Sequence, residues 1–174
     1  LASAERQAHG GVADEETLRY FRSRPYSRIL VDLIREHGPQ IVMFGATHVG
    51  RSLAPRVASA LRAGLTADCT DLQLGEFQDR VNRRLMENRL MQIRPAFGGN
   101  IIATIATSWD GPQMVTVREG VMKREAPNEE RTGRVTDVPV QLEPDDTLLE
   151  ILEQTRQPAG INLKASQIIV SGGD

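Results

Sequence analysis

The chain reads as an α/β protein: a Rossmann-like, mostly parallel sheet flanked by helices, with antiparallel strands added in its second half. Three observations predict this. Tyr26, Ile29, Leu30, Leu33 and Ile34 fall at helical spacing, and Gly38-Pro39 then leads straight into the apolar run Ile41-Val42-Met43-Phe44. Beyond that run Leu53, Val57 and Leu61 recur at four-residue spacing with Ala54 and Ala58 beside them, so a second helix follows. Helix and strand in alternation are the grammar of a parallel sheet. From Leu65 onward, short strand-like runs succeed one another with turns between them, and this predicts the antiparallel part.

In chain order, Leu1 to His9 reads as the tail of a helix stopped by Gly10-Gly11, and Thr17 to Phe21 as one further turn. Pro25 opens the first amphipathic helix, whose other side carries Arg28, Asp32, Arg35 and Glu36. Ile41 to Phe44, bounded by Pro39 and Gly45, suits a strand buried on both faces. Ser52 is expected to cap the second helix, which places Pro55 in its first turn, and Gly64 to close it. Leu65 to Leu72 reads as a strand running out into a functional or interface loop. A long polar hairpin excursion then separates Leu72, Leu74 and Phe77 from the strand Leu90-Met91-Gln92-Ile93.

Arg94 to Asn100 is a breaker-rich loop, Ile101 to Ala106 a second apolar strand, and Trp109-Asp110-Gly111-Pro112 a turn before the strand Met114 to Val117. Lys123 to Arg134 reads as an exposed loop. Val135 to Leu142 reads as an edge strand interrupted by Pro139. A turn at Glu143 to Asp146, a short helix over Thr147 to Gln154, a loop at Gln157 to Gly160 and a buried strand Ile168-Ile169-Val170 complete the series. Two units are expected: an N-terminal α/β domain over 1–165, truncated at its start, and a strand at 166–174 leading to a further domain. The chain thus reads as a piece of a longer polypeptide, with one flank of its central strand exposed and a tendency to self-associate.

With 174 residues the chain can bury a sizeable core. A formal net charge of −2 and a sequence pI near 6.0, with the two signs interspersed, argue against a nucleic-acid binder. The basic cluster Arg80, Arg83 and Arg84 sits beside Asp79 and Glu87, as in a solvated hairpin tip. No run approaches the ~20 apolar residues of a membrane span. The single cysteine, Cys69, excludes an internal disulfide framework and reads as a small buried residue.

The turn Gly45-Ala46-Thr47-His48-Val49-Gly50-Arg51-Ser52 nearly spells a phosphate-binding loop, GxxxxG followed by Arg-Ser where such loops carry Lys before Ser or Thr. Guanidinium is no equivalent of the compact ammonium, and Thr47, His48 and Val49 stiffen a backbone that must wrap a phosphate. A weaker anion contact at the helix N-terminus stays open. His48 lacks a partner at a recognisable spacing, and His9 and His37 stand at helix ends. Asp68 and Asp71 flank a strand end, where acids cap and solvate. No catalytic or metal-binding signature is present.

Three segments carry a resemblance: IVMFGATHVGRSLAPRVASALRAGLTADCTDL, RPAFGGNIIATIATSWDGPQMVTVREGVMK, and the closing IIVSGG. Together they resemble the alpha subunit of electron transfer flavoproteins, in the family's order and spacing, and most of all its microbial members, including those paired with electron-bifurcating dehydrogenases. The resemblance implies an electron carrier rather than a catalyst in its own right. It would be a heterodimer with a homologous beta subunit that moves electrons on FAD between acyl-CoA or other flavin dehydrogenases and a downstream acceptor. It implies a cytoplasmic protein in a microbe, or one of the mitochondrial matrix in a eukaryote. In the family FAD is held mainly by a C-terminal domain following SGG; there the family continues Arg-Gly, whereas this chain has Asp174.

Arg94, Gly98, Gly99 and Asn100 lie on the family's RPA-aromatic-GGN loop, expected to be flavin-proximal or at the interface. Thr47, His48, Gly50 and Arg51 lie on its GAT-x-x-GR loop, expected to face the beta subunit. Both loops adjoin core strands and should gather at one sheet edge. A fixed guanidinium at Arg94 would stabilise an anionic reduced flavin. The alternative is a free-standing nucleotide-binding α/β regulatory domain, with the Gly45–Arg51 turn holding phosphates.

Overall fold

The computed structural model describes residues 8–108, 110–124, 126, 132–155 and 166–173. Its centre is a parallel sheet of β2 (Ile41–Gly45), β7 (Gln113–Val117) and β3 (Leu65–Cys69), in the spatial order β2-β7-β3. Helices α1 (Ser23–His37) and α2 (His48–Leu61) pack on one another, and α2 lies against the sheet. The antiparallel sheet β4 (Asp71–Asp79), β5 (Arg84–Ala96) and β6 (Ile101–Ile105) meets the parallel sheet through β5 and β3. A separate parallel pair joins β1 (Ala8–Val12) to β8 (Gly133–Asp137). The predicted fold class, parallel strands with flanking helices and added antiparallel strands, is the one observed.

Successive side chains of a strand point to opposite faces, and β7 shows what that does at the centre of a layered domain. Met114 joins Val31, Ile34, Leu53, Val57 and Ala58 in the core beneath the helices. Val115, one residue on, joins Cys69 and Leu90 in a second core beneath the antiparallel sheet. Strand β7 is therefore the strand covered on both faces, a place the sequence pattern had pointed to in β2. Val42 and Phe44 of β2 pack on the helical core, but Met43 on the other face is 63% exposed. Strand β2 is at the edge of its sheet, and the antiparallel layer lies over β3 instead.

The first helix ends as its sequence predicts, with Gly38 in the left-handed region (φ 53°) and its N–H donating to Ile34 O at 3.0 Å. The second differs at both ends. It begins at His48 with Thr47 as its cap, so Ser52 stands inside the helix and so does Pro55. Arg62 (φ 52°), and not Gly64, takes the left-handed closing position. The Thr47 hydroxyl competes successfully because it reaches the Gly50 N–H at 3.0 Å, one helical turn earlier than Ser52 could act.

Other expectations give way to pairing. Gly10 and Gly11 do not stop a helix; they lie in β1, where a Cβ on Gly11 would come within 2.9 Å of the Val138 side chain. Residues 65–72 divide between two sheets, β3 ending at Cys69 and β4 starting at Asp71, so no loop runs out there. The polar stretch between Phe77 and Leu90 is a regular antiparallel ladder, since β4 and β5 pair from Asp71↔Ile93 to Asp79↔Arg84 with one register shift. Asp79 closes the hairpin by accepting from the N–H groups of Val81 and Asn82 at 3.0 and 3.1 Å, leaving Arg80 and Arg83 exposed at the tip. Arg94, Pro95 and Ala96 belong to β5 rather than to a loop.

Strand β8 takes in Gly133 and Arg134 and ends at Asp137, ahead of Pro139. No helix forms over the described part of 147–154. A 3₁₀ turn at Pro144–Thr147 is followed by irregular chain in which Leu148 and Leu152 are 65% and 89% exposed. Ile168-Ile169-Val170 is likewise exposed and unpaired rather than a buried strand; among the described residues no strand lies beside it to satisfy its backbone. Trp109 and the stretch Gln157 to Gly160 lie outside the described residues, as do residues 1–7.

Candidate functional site

Because β2, β7 and β3 are parallel, their C-terminal ends meet at one edge. The Ala46 N–H donates to Val117 O at 2.7 Å and the Arg118 N–H to Cys69 O at 2.9 Å, which laces the three exits together. Asp68 sits among them in the left-handed region (φ 62°), where β3 shifts register against β7. Aspartate tolerates this conformation better than most residues. Its N–H donates to the buried Thr116 hydroxyl at 2.8 Å, which fixes where its carboxylate points.

Two arginines from different elements converge on that carboxylate. Arg118, just past β7, donates through Nη2 to Oδ2 at 2.7 Å and through Nε to Oδ1 at 3.3 Å. Arg51, in the first turn of α2, donates through Nη2 to Oδ1 at 3.0 Å and through Nε to Ala46 O at 2.8 Å. The Arg118 hydrogen bonds, with the charges of Arg118, Arg51 and Arg94, hold the Asp68 carboxyl below the usual carboxylate range against an opposing effect of burial. Arg94 acts on the neighbouring Cys69 as well, although burial dominates there and pushes the thiol up. Cys69 is fully buried and free.

The two predicted loops meet only in part. Arg51 and Arg94 act on the same carboxylate, and the bond from the Thr70 N–H to Ile93 O (2.8 Å) ties the root of β5 to the exit of β3. Gly98, Gly99 and Asn100 lie farther out, in the exposed hairpin turn between β5 and β6, and their contacts are with those two strands. His48 is the exposed first residue of α2. Thr47 serves as its cap. Asp68 and Arg118 were not among the predicted site residues. The sequence signal for them is slight: an acid at a strand exit, and an arginine directly after the apolar run Met114 to Val117.

The Gly45–Arg51 turn does not have the form of a phosphate cradle. Its N–H groups at Ala46, Gly50 and Arg51 are spent internally, on Val117 O, Thr47 Oγ1 and Thr47 O. Gly50 is buried so closely on the strand end that a Cβ there would overlap the Gly45 carbonyl oxygen. This glycine serves the packing of helix on strand and leaves no room for a ligand between them. A cleft of about 790 Å³ opens at the opposite, N-terminal end of β2 and β7, beside Gln40, Glu87, Asp110 and Gln113, and neither loop lines it. Among the described residues no group of three His, Cys, Asp or Glu could hold a metal, and no helix is long and apolar enough to cross a membrane.

Comparison with known proteins adds the family. The chain is 40% identical over 163 residues to the electron transfer flavoprotein subunit alpha of Thermoanaerobacterium thermosaccharolyticum, covering 93% of this chain and 46% of that protein. It is 40% identical over 162 residues to the lactate dehydrogenase (NAD(+),ferredoxin) subunit LctC of Acetobacterium woodii, covering 93% and 36%. With the acryloyl-CoA reductase electron transfer subunit beta of Anaerotignum propionicum it shares 33% identity over 178 residues, covering 93% and 48%. The chain thus spans about half the length, or less, of these curated relatives. The family described as "Electron transfer flavoprotein domain" matches residues 2–143, which include the whole parallel sheet, both helices and the antiparallel layer. On that match the chain belongs to the electron transfer flavoprotein domain family.

Proposed function

We propose that the chain is the N-terminal α/β domain of an alpha-type subunit in a heterodimeric electron transfer flavoprotein. The domain occupies 1–165, and 166–174 leads toward a C-terminal domain that holds FAD. The whole protein carries electrons on that FAD between an acyl-CoA or other flavin dehydrogenase and an acceptor, in the bacterial cytoplasm. This domain supplies scaffold and the contact with the beta-type subunit. The family match over 2–143 is the observation that carries the reading. The internally satisfied Gly45–Arg51 turn speaks against the alternative, a free-standing nucleotide-binding regulator.

In this reading Thr47, His48, Gly50 and Arg51 line the contact with the beta-type subunit. Arg94, Gly98, Gly99 and Asn100 lie at that contact or near the flavin. The test is co-expression of the full-length subunit with the beta-type subunit encoded beside it. A yellow complex of one copy of each is expected, retaining FAD through gel filtration. A colourless protein that elutes alone and binds adenine nucleotides would overturn the reading in favour of the regulator.

A further inference from the structure

We propose that Arg51 and Arg118, which converge on the single carboxylate of Asp68, together with Arg94 on β5 beside the same strand exit, form the docking point for a carboxylate-bearing loop of the partner subunit. The inference rests on the reading above, that this edge of the sheet meets a beta-type subunit, and adds the chemistry that the partner must present.

The charge balance at the strand exits carries it. Both oxygens of Asp68 are taken, Oδ1 by Arg51 and Arg118 and Oδ2 by Arg118. Arg94 is half-buried, and among the described residues its guanidinium makes no hydrogen bond or ion pair. It lies on the face of β5 that also carries the buried Leu90 and Gln92. A part-buried cation without an acceptor is costly, and Asp68, which already accepts three hydrogen bonds from the other two arginines, gives Arg94 none. Arg51 and Arg118 each keep donors beyond those spent on Asp68 and Ala46, and their side chains are 57% and 43% exposed. An added carboxylate would find planar, two-pronged hydrogen-bond donors here.

The surroundings favour a protein over a small anion. The turn that could have wrapped a phosphate has spent its N–H groups at Ala46, Gly50 and Arg51. Next to Arg94 the same face of the hairpin continues through Ala96, opposite Ile101, which is 52% exposed, and the turn beyond presents Phe97 at 81%. Arginine beside exposed aromatic and aliphatic side chains is the composition of protein-interface hot spots.

The test uses the full-length subunit and its beta-type partner, with Kd measured against NaCl for the wild type, Arg94→Gln and Arg94→Lys. Arg94→Gln removes no internal ion pair, so its fold should be intact by circular dichroism and melting. Its affinity is expected to fall about tenfold at ~50 mM salt, with the gap closing to under about threefold at ~500 mM, where charges are screened. Arg94→Lys should recover much of the loss. Equal affinity and salt slope for wild type and Arg94→Gln would overturn the proposal while leaving the heterodimer reading intact. A loss that does not respond to salt, displacement by AMP or inorganic phosphate, or a shift of flavin potential without a change in affinity would overturn it too. A wild type that fails to bind the partner would sink both readings together.

Discussion

Two glycine-bearing turns look alike as sequence and are opposites as structures. In Gly45–Arg51 the chain leaves a strand and enters a helix with almost nothing to spare: Ala46 and Gly50 are buried, the N–H groups of Gly50 and Arg51 are answered by Thr47, and that of Ala46 by Val117 O of β7. In Phe97–Asn100 the chain reverses between β5 and β6 in open space. Phe97, Gly98 and Gly99 all have positive φ (47°, 69° and 93°), and a Cβ on either glycine would meet nothing within 4 Å. The first turn needs glycine because two pieces of backbone approach too closely for a side chain. The second needs it because the backbone itself adopts a conformation that L-residues disfavour.

That contrast can be broken, starting where the effect is largest. Gly50→Ala puts a methyl group onto the Gly45 carbonyl, which is backbone and cannot swing away, so about 3 kcal/mol or more of stability should be lost. Urea denaturation measures it, and a loss under about 1 kcal/mol would show that the turn is looser than it looks. Gly99→Ala meets no atom and carries only the conformational cost of φ +93°, about 1–2 kcal/mol, with no change in the core. If the two variants proved equally destabilised, the distinction drawn between the turns would fail.

A smaller effect concerns acid. The folded Asp68 carboxyl titrates below its unfolded value, so its contribution is fully present above the unfolded pKa of ~3.9 and is lost as pH falls through the folded value. Asp68→Asn should therefore narrow its stability deficit as the pH drops below about 4. Parallel acid limbs in wild type and variant would mean that the arginines do not hold this carboxylate in solution.

How far these features are legible in the sequence differs by kind. The amphipathic stripe of α1, its Gly38 stop and the strand Met114 to Val117 can all be read locally, because period and punctuation report local conformation. Burial cannot be read that way. Ile41 to Phe44, Met114 to Val117 and Ile168 to Val170 are similarly apolar, yet they become an edge strand, the doubly covered centre and an exposed unpaired stretch. Only the order β2-β7-β3, and which strands the antiparallel layer covers, separates the first two.

The sequence by itself determined the fold class, the family and the element sequence from α1 through α2, since hydrophobic period and long motifs are properties of neighbouring residues. Tertiary structure alone decided the site. Asp68 and Arg118 stand 50 positions apart, and Arg51 and Arg94 belong to other elements again. No local pattern encodes their meeting, because it follows from three parallel strands ending at one edge and from a β5 long enough to bring Arg94 to it. The near-phosphate-loop spelling at Gly45 misled for the same reason: spacing fixes where glycines lie, and only packing decides whether the space beside them is open or filled.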